Sequence, residues 1–289
     1  MANLADIVSR KQSRDEEWKA QRQADRDNAV AMQDTAVSQI AQHPEAYAAY
    51  LDCQGDNLMY SVGNIALALF QKPEVTRFGT AERWKSLGRT VLESEKPKGF
   101  QIFARSSFGR GYQLTDAYDI TQTQGREMPQ VAVRPGSPEM EKAMETVLNY
   151  AAAPVVLDED LDVPAFYDQD RLELAINPSY PDEEAFAAIA AEVAHSRFHD
   201  KGRNPHYDRE ESDLDAQSVS YILCRRYEVK REMPDLSNLE QLYDGWSSEE
   251  VRRALDSVQG LCKQMGNSID RNLEPKQHTR GTQARRPSR

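Results

Sequence analysis

Polar and apolar positions divide this chain into stretches of different texture, and each stretch predicts its own elements. Residues 1–43 contain neither Gly nor Pro and are rich in Gln, Arg, Asp and Ala. Their apolar positions thin to a stripe through Val30, Val37 and Ile40, which predicts a solvated helix ended by Pro44. The texture then tightens. Residues 64–70 (NIALALF) predict a short apolar helix, and Thr80 is placed to cap a second one over 80–87. Residues 100–104 (FQIFA) and 112–119 predict strands joined by a turn at 106–111.

The run 127–138 carries Pro129, Pro135, Gly136 and Pro138 and predicts a linker. Beyond it, the pattern predicts a helix over 139–151 and extended pieces around 154–156 and 171–176. Helices over 182–199 and 212–227 follow. The residues after about 273 are too polar and basic to pack, which predicts disorder. The fold class expected is α+β, with no internal repeat. A helical arm (1–44) precedes a small α+β domain (45–126), the linker (127–138), a mainly helical domain (139–270) and a basic tail (271–289).

Composition narrows the class. The chain has 289 residues, 39% hydrophobic, which is enough for a substantial core, with a mean hydropathy of −0.75. No apolar run approaches the roughly 18 residues of a membrane span, and the N-terminal residues lack the apolar core of a signal peptide. Cys53, Cys224 and Cys262 lie far apart without C-x-x-C spacing, as reduced thiols of a cytoplasmic protein would. The net charge of −11 argues against a surface that is basic throughout. The charge is uneven, however: residues 57–126 hold ten Lys/Arg against six Asp/Glu, and residues 271–289 hold six against one. Two basic segments therefore sit in an otherwise acidic chain, whose acidic second domain would suit a host protein as partner.

The chemistry concentrates in DEEAFAAIAAEVAHSRFH, residues 182–199. An H-E-x-x-H helix sets two histidines one turn apart to bind Zn²⁺, with the intervening Glu as general base. Here Glu192 and His195 keep their places, but Ala191 stands where the first His belongs. His199 lies one further turn along, so Glu192, His195 and His199 share a face. Asp215 is the candidate third ligand and Asp213 the reserve. Three readings stay open: a displaced metal site on His195, His199 and Asp215; an inactive relic whose polar trio is hydrogen-bonded; and a weak site on Glu192, His195 and an acid.

The basic segment suits a different ligand. Single strands are held by cations tracking the phosphates and aromatic faces stacking the bases. The cationic candidates are Arg77, Arg83, Lys85, Arg89, Lys96 and Lys98, with Arg105 and Arg110 around the 106–111 turn. Among the aromatics, Phe108 sits at that turn, and Trp84 is either a stacking platform or wedged between helix and sheet.

These residues carry a resemblance. Asn64 in NIALALF, Trp84 in AERWKSLG and Gly88-Arg89 leading to Lys96-Pro97-Lys98-Gly99 resemble the single-stranded-DNA-binding domain of ArdC-type antirestriction proteins, as does DAYDITQTQGR. EVAHSRFH and DAQSVSYILC resemble the zincin-like metallopeptidase domain that follows it in that family. The resemblance covers roughly 170 residues. It implies single-stranded-DNA binding, carriage on a mobile element such as a conjugative plasmid, protection of incoming DNA from restriction, and cytoplasmic action. The departure at Ala191 bears on proteolysis and Zn²⁺, not on DNA.

Overall fold

A computed structural model describes residues 3–105, 111–128 and 131–273 of the protein. The first helix, α1 (Leu4–Gln42), is exposed over its first two-thirds and buries Ala29, Gln33, Ala36, Val37, Ile40 and Ala41 at its end. That three-and-four spacing is the apolar face a packed helix needs. Val30 falls outside the face, a step from the predicted stripe. Pro44 opens α2 (Pro44–Asp56), where its missing N–H costs nothing. Ser61 caps α3 (Val62–Gln71) by accepting from the Asn64 N–H. Gly63 lets α1 approach α3 closely enough for the Gln33 amide to donate to its carbonyl at 2.9 Å.

The strands β1 (Phe78–Thr80), β3 (Phe100–Arg105) and β4 (Tyr112–Asp119) form an antiparallel sheet in the order β1-β4-β3. Between them in sequence lie α4 (Ala81–Ser86), capped by Thr80, and β2 (Arg89–Val91), which pairs with β5 (Thr123–Gly125). β3 is an edge strand, and its outward backbone groups are satisfied by side chains of α3. Asn64 and Gln71 each donate to and accept from the backbone of one β3 residue, Phe103 and Gln101 respectively, all at 2.9 Å. Two amides seven residues apart on one helix face thus stand in for a neighbouring strand, which removes the pairing hazard of an open edge.

The second half contains α5 (Pro138–Leu148), then β6 (Val155–Leu157), β7 (Ala165–Asp168) and β8 (Glu173–Ile176), arranged β6-β8-β7. The motif helix is α6 (Asp182–His199), which packs on α7 (Arg209–Arg226) and lies beside β7. A short α8 (Leu239–Leu242) leads to α9 (Ser248–Leu273), whose Val251, Leu255, Val258, Cys262, Met265 and Ile269 are buried. Each such aliphatic contributes about 1.5–3 kcal/mol when withdrawn from water.

One buried cluster runs from Ala36 to Ile269 and joins α1–α3 and the first sheet to α5–α9. α2 packs directly on α7, and the Tyr47 hydroxyl lies 3.0 Å from that of Ser218. The core therefore continues across the predicted boundary at residues 127–138. A small second cluster holds Trp84, Val91 and Tyr118. Among the described residues, no helix is long and apolar enough to cross a membrane.

Candidate functional site

The residues nominated for DNA contact divide by what holds them. Trp84 is 2% exposed and donates its indole N–H to the Tyr118 carbonyl at 2.8 Å, so its faces are not offered to a base. Burial with a satisfied N–H wins there over stacking, because Val91 and Tyr118 need a large apolar partner. Arg89 donates to Thr123 Oγ1 and to the carbonyls of Thr123 and Arg126, which ties β2 to β5. Arg77 donates to the Met128 carbonyl. Lys96 pairs with Glu93 and Lys98 with Glu95, both at 2.7 Å on the surface. Arg83, Lys85 and Arg105 are exposed. Phe108, Arg110 and the tail beyond residue 273 lie outside the described residues.

Arg105 leads to the surface that does combine charge and rings. It sits opposite Tyr112 in the β3–β4 register, and Tyr112 is 58% exposed. Across from this end of the sheet runs the exposed part of α1. Arg26 places its guanidinium 5.5 Å from the Phe103 ring centroid and donates to the Tyr112 carbonyl at 3.3 Å. One turn earlier Arg22 lies 4.8 Å over the ring of Trp18, which is 59% exposed. Two depressions meet here, sharing Arg26, Phe103 and Tyr112, so they form one groove between α1 and the hairpin. Six Lys or Arg side chains and two Asp line it, reversing the balance of a chain with net charge −11.

None of Trp18, Arg22 and Arg26 was singled out by sequence, although one signal was available. A Trp inside a strongly polar helix, with Arg one turn on, has no core to serve.

In α6, Glu192 is buried and fully engaged. Its Oε2 accepts from the Tyr167 N–H of β7 at 2.7 Å and its Oε1 from Arg209 Nη2 at 2.8 Å. Arg209 also donates to the Tyr167 carbonyl at 3.2 Å and lies 4.5 Å over the Phe166 ring. His195 is 0% exposed, with Nδ1 3.1 Å from Tyr207 Oη and Nε2 3.4 Å from Asp213 Oδ1. A carboxylate only accepts, so Nε2 carries the proton and Nδ1 accepts from Tyr207. The hydrogen bond from His195, followed by that from Gln217, holds the Asp213 carboxyl below the usual range. Burial raises the Tyr207 phenol to about 12, so it stays protonated as this role requires. His199 places Nδ1 2.8 Å from Tyr167 Oη and stacks on Tyr207 at 4.6 Å.

The acid beside His195 is thus Asp213, and the trio His195, His199 and Asp215 is not brought together. Two residues on a helix turn about 200°, so Asp215 leaves α7 on the other side. There it lines a cavity with Glu210, Tyr243 and Trp246, and burial pushes its carboxyl up to about 7.

The donors around Glu192 do not fit a metal ion. A guanidinium already neutralises Glu192, both His195 nitrogens are taken, and Ala191 offers nothing. Among the described residues, no three His, Cys, Asp or Glu side chains gather as metal ligands do.

No protein-family model matches the chain, and no curated protein matches it by sequence. Its fold does match solved structures. The metal-free crystal structure of the antirestriction ArdC protein from the R388 plasmid superposes with a TM-score of 0.51 at 15% sequence identity, covering 83% of this chain and 98% of that one. The Mn(II)-bound structure of the same protein gives 0.50 and 15%, covering 86% and 99%. This chain has the α+β fold of the ArdC antirestriction protein, over nearly the whole length of that protein.

Proposed function

We propose that this protein binds single-stranded DNA as an antirestriction-type accessory protein of a mobile genetic element, acting in the cytoplasm. Its zincin-like half serves as scaffold in place of peptidase. The observation that carries the reading is the groove between α1 and the β3–β4 hairpin, where exposed Trp18 and Tyr112 alternate with Arg22, Arg26 and Arg105. Stacked aromatics tolerate any base, and the cations meet a backbone of regular charge, so the groove suits single strands without sequence preference. The fold shared with a plasmid antirestriction protein supports the same reading. The scaffold role rests on the Arg209–Glu192 pair, which engages the carboxylate that stands where the general base of the motif belongs.

Fluorescence anisotropy of the full chain with a labelled single-stranded oligonucleotide tests the reading. Binding should weaken steeply with salt, with a log–log slope near −0.7 for each phosphate neutralised. A duplex of the same sequence should bind less well, since its bases cannot reach the aromatic faces. Absence of binding at low salt, or equal affinity in an Arg22→Glu/Arg26→Glu variant, overturns it.

A further inference from the structure

The groove does not end at the β3–β4 hairpin, and α9 from the far end of the chain builds part of its inner wall. Past Arg26 it continues over Val30 of α1 and Met59 of the turn before α3 to Arg252, Asp256 and Lys263. Arg252, Asp256, Gln259 and Lys263 are spaced four, three and four apart, so they leave α9 on one side. Their partners distinguish them. Arg252 donates to Asp34 of α1 at 2.9 Å and is the cation beside Asp256. Gln259 donates to the carbonyls of Leu58 and Tyr60 at 3.1 and 3.2 Å, which pins the 58–60 turn to α9. The flanks of that turn are held as well, because Leu58 is buried and Tyr60 stacks on Phe78 with ring centroids 4.5 Å apart. Met59 is thus 56% exposed on a fixed backbone. Lys263 has no ion pair or hydrogen bond among the described residues, and neither has Arg105 of β3, which lines the same depression.

We propose that one DNA strand runs the full length of this groove and is held from both ends of the chain, Lys263 of α9 meeting a phosphate and Met59 packing on a base. The inference rests on the reading of the groove as a single-strand site. An unpaired ammonium at the rim is free to neutralise a phosphate, and a polarizable thioether takes the face of any base. From Trp18 to Gln33 the groove follows α1 for about 22 Å, at about 1.5 Å per residue. That length holds about six nucleotides stacked about 3.4 Å apart, whereas the stretch from Trp18 to Arg26 holds about three or four. A peptide strand suits the groove less well. It would need the free edge of β3, which Asn64 and Gln71 already occupy.

The test crosses strand length with substitution in the full chain, using oligothymidylates of about four and about eight nucleotides and fluorescence anisotropy. Lys263→Glu should weaken the longer strand about tenfold at low salt and the shorter by no more than about twofold, because the short strand is satisfied at the Trp18–Arg26 end. Arg22→Glu/Arg26→Glu should weaken both. Lys263→Ala should reduce the salt slope of the longer strand by about 0.7, the share of one phosphate, which a lysine with a purely structural role would not change. A second arm uses the native sequence and so does not depend on how a variant folds. With methionine methyl groups labelled for NMR, the Met59 resonance should move upfield on saturation with the longer strand, as a stacked base shifts it, and stay in place with the shorter. A Lys263→Glu variant that binds the longer strand like the native protein, equal losses for the two lengths, or a Met59 methyl that never moves would overturn the inference. A loss in Arg22→Glu/Arg26→Glu alongside any of these would leave the groove reading standing. No binding of either strand by the native protein would overturn both.

Discussion

The groove along α1 and the polar cluster on α6 treat their functional groups in opposite ways. In the groove, Trp18 and Tyr112 stand in solvent, and the charged ends of Arg22 and Arg26 rest on ring faces or a carbonyl, with no carboxylate pairing them among the described residues. In the cluster the strong groups largely meet one another: Glu192 binds Arg209 and the Tyr167 N–H, His195 contacts Tyr207 and Asp213, and His199 contacts Tyr167 through Nδ1. A site that receives a ligand must leave some interaction energy unused until the ligand arrives. By that measure the groove is the better candidate site and the α6 cluster the better candidate framework, although the α6 sequence looks the more catalytic.

The sharpest way to break this contrast is to cut the framework. Arg209→Ala strands a carboxylate that is 9% exposed beneath α6. Breaking a pair this buried should cost about 2–3 kcal/mol and lower the melting temperature by about 5–10 °C. Adding Glu192→Gln should return much of the loss, since the stranded charge goes with it. If Arg209→Ala melts like the native protein, the cluster is not structural and the contrast fails. The groove is next. Arg22→Glu/Arg26→Glu should weaken single-strand binding about 100-fold at low salt, since two attractions become repulsions. His195→Ala should leave anisotropy titrations unchanged while lowering thermal stability. Trp18→Ala should cost about tenfold in affinity, one stacked base, with no change in melting because the ring is exposed.

Much of the fold was legible because local signals and packing agree. Pro181 followed by three acids fixes the start of α6, and the predicted span 182–199 is the observed helix. The strands at 100–104 and 112–119 and the Thr80 cap likewise fall where their patterns place them. α9 has no counterpart among the predicted elements, although its buried residues recur every three or four positions. Its Gly260 and Gly266 lower helix propensity, and tertiary contact compensates: Gly266 admits the Leu58 side chain, which a Cβ there would strike. The site residues were harder to read, because a residue type does not reveal its partner. Arg89 and Trp84 carry the composition of a DNA surface and are used to hold β2, β5 and β4 together. Asp213 and Asp215 differ only in which side of α7 they leave, a phase that depends on where α6 packs.

Asp215 gives the smallest effect and the finest test of the comparison, because it is half-buried beside the framework and carries no side-chain partner among the described residues. Its carboxyl is raised by burial from 3.8 to about 7, so the folded state favours the protonated form. The groups near it are Glu210 and Glu211 on its own helix, Tyr47 and Tyr50 on α2 and Tyr243 beyond α8, and none of these is cationic. A raised carboxyl contributes stability that is fully present below its unfolded value near 4 and is lost as pH rises through about 7. Asp215→Asn should therefore melt with the native protein near pH 4 and above it by about 2–4 °C at pH 8, a gain of about 1 kcal/mol for a carboxyl that keeps part of its hydration. A gain that is constant with pH would mean a packing change and not a relieved charge. A loss at pH 8 would mean that Asp215 already has a favourable partner, which would place it with Glu192 in the framework.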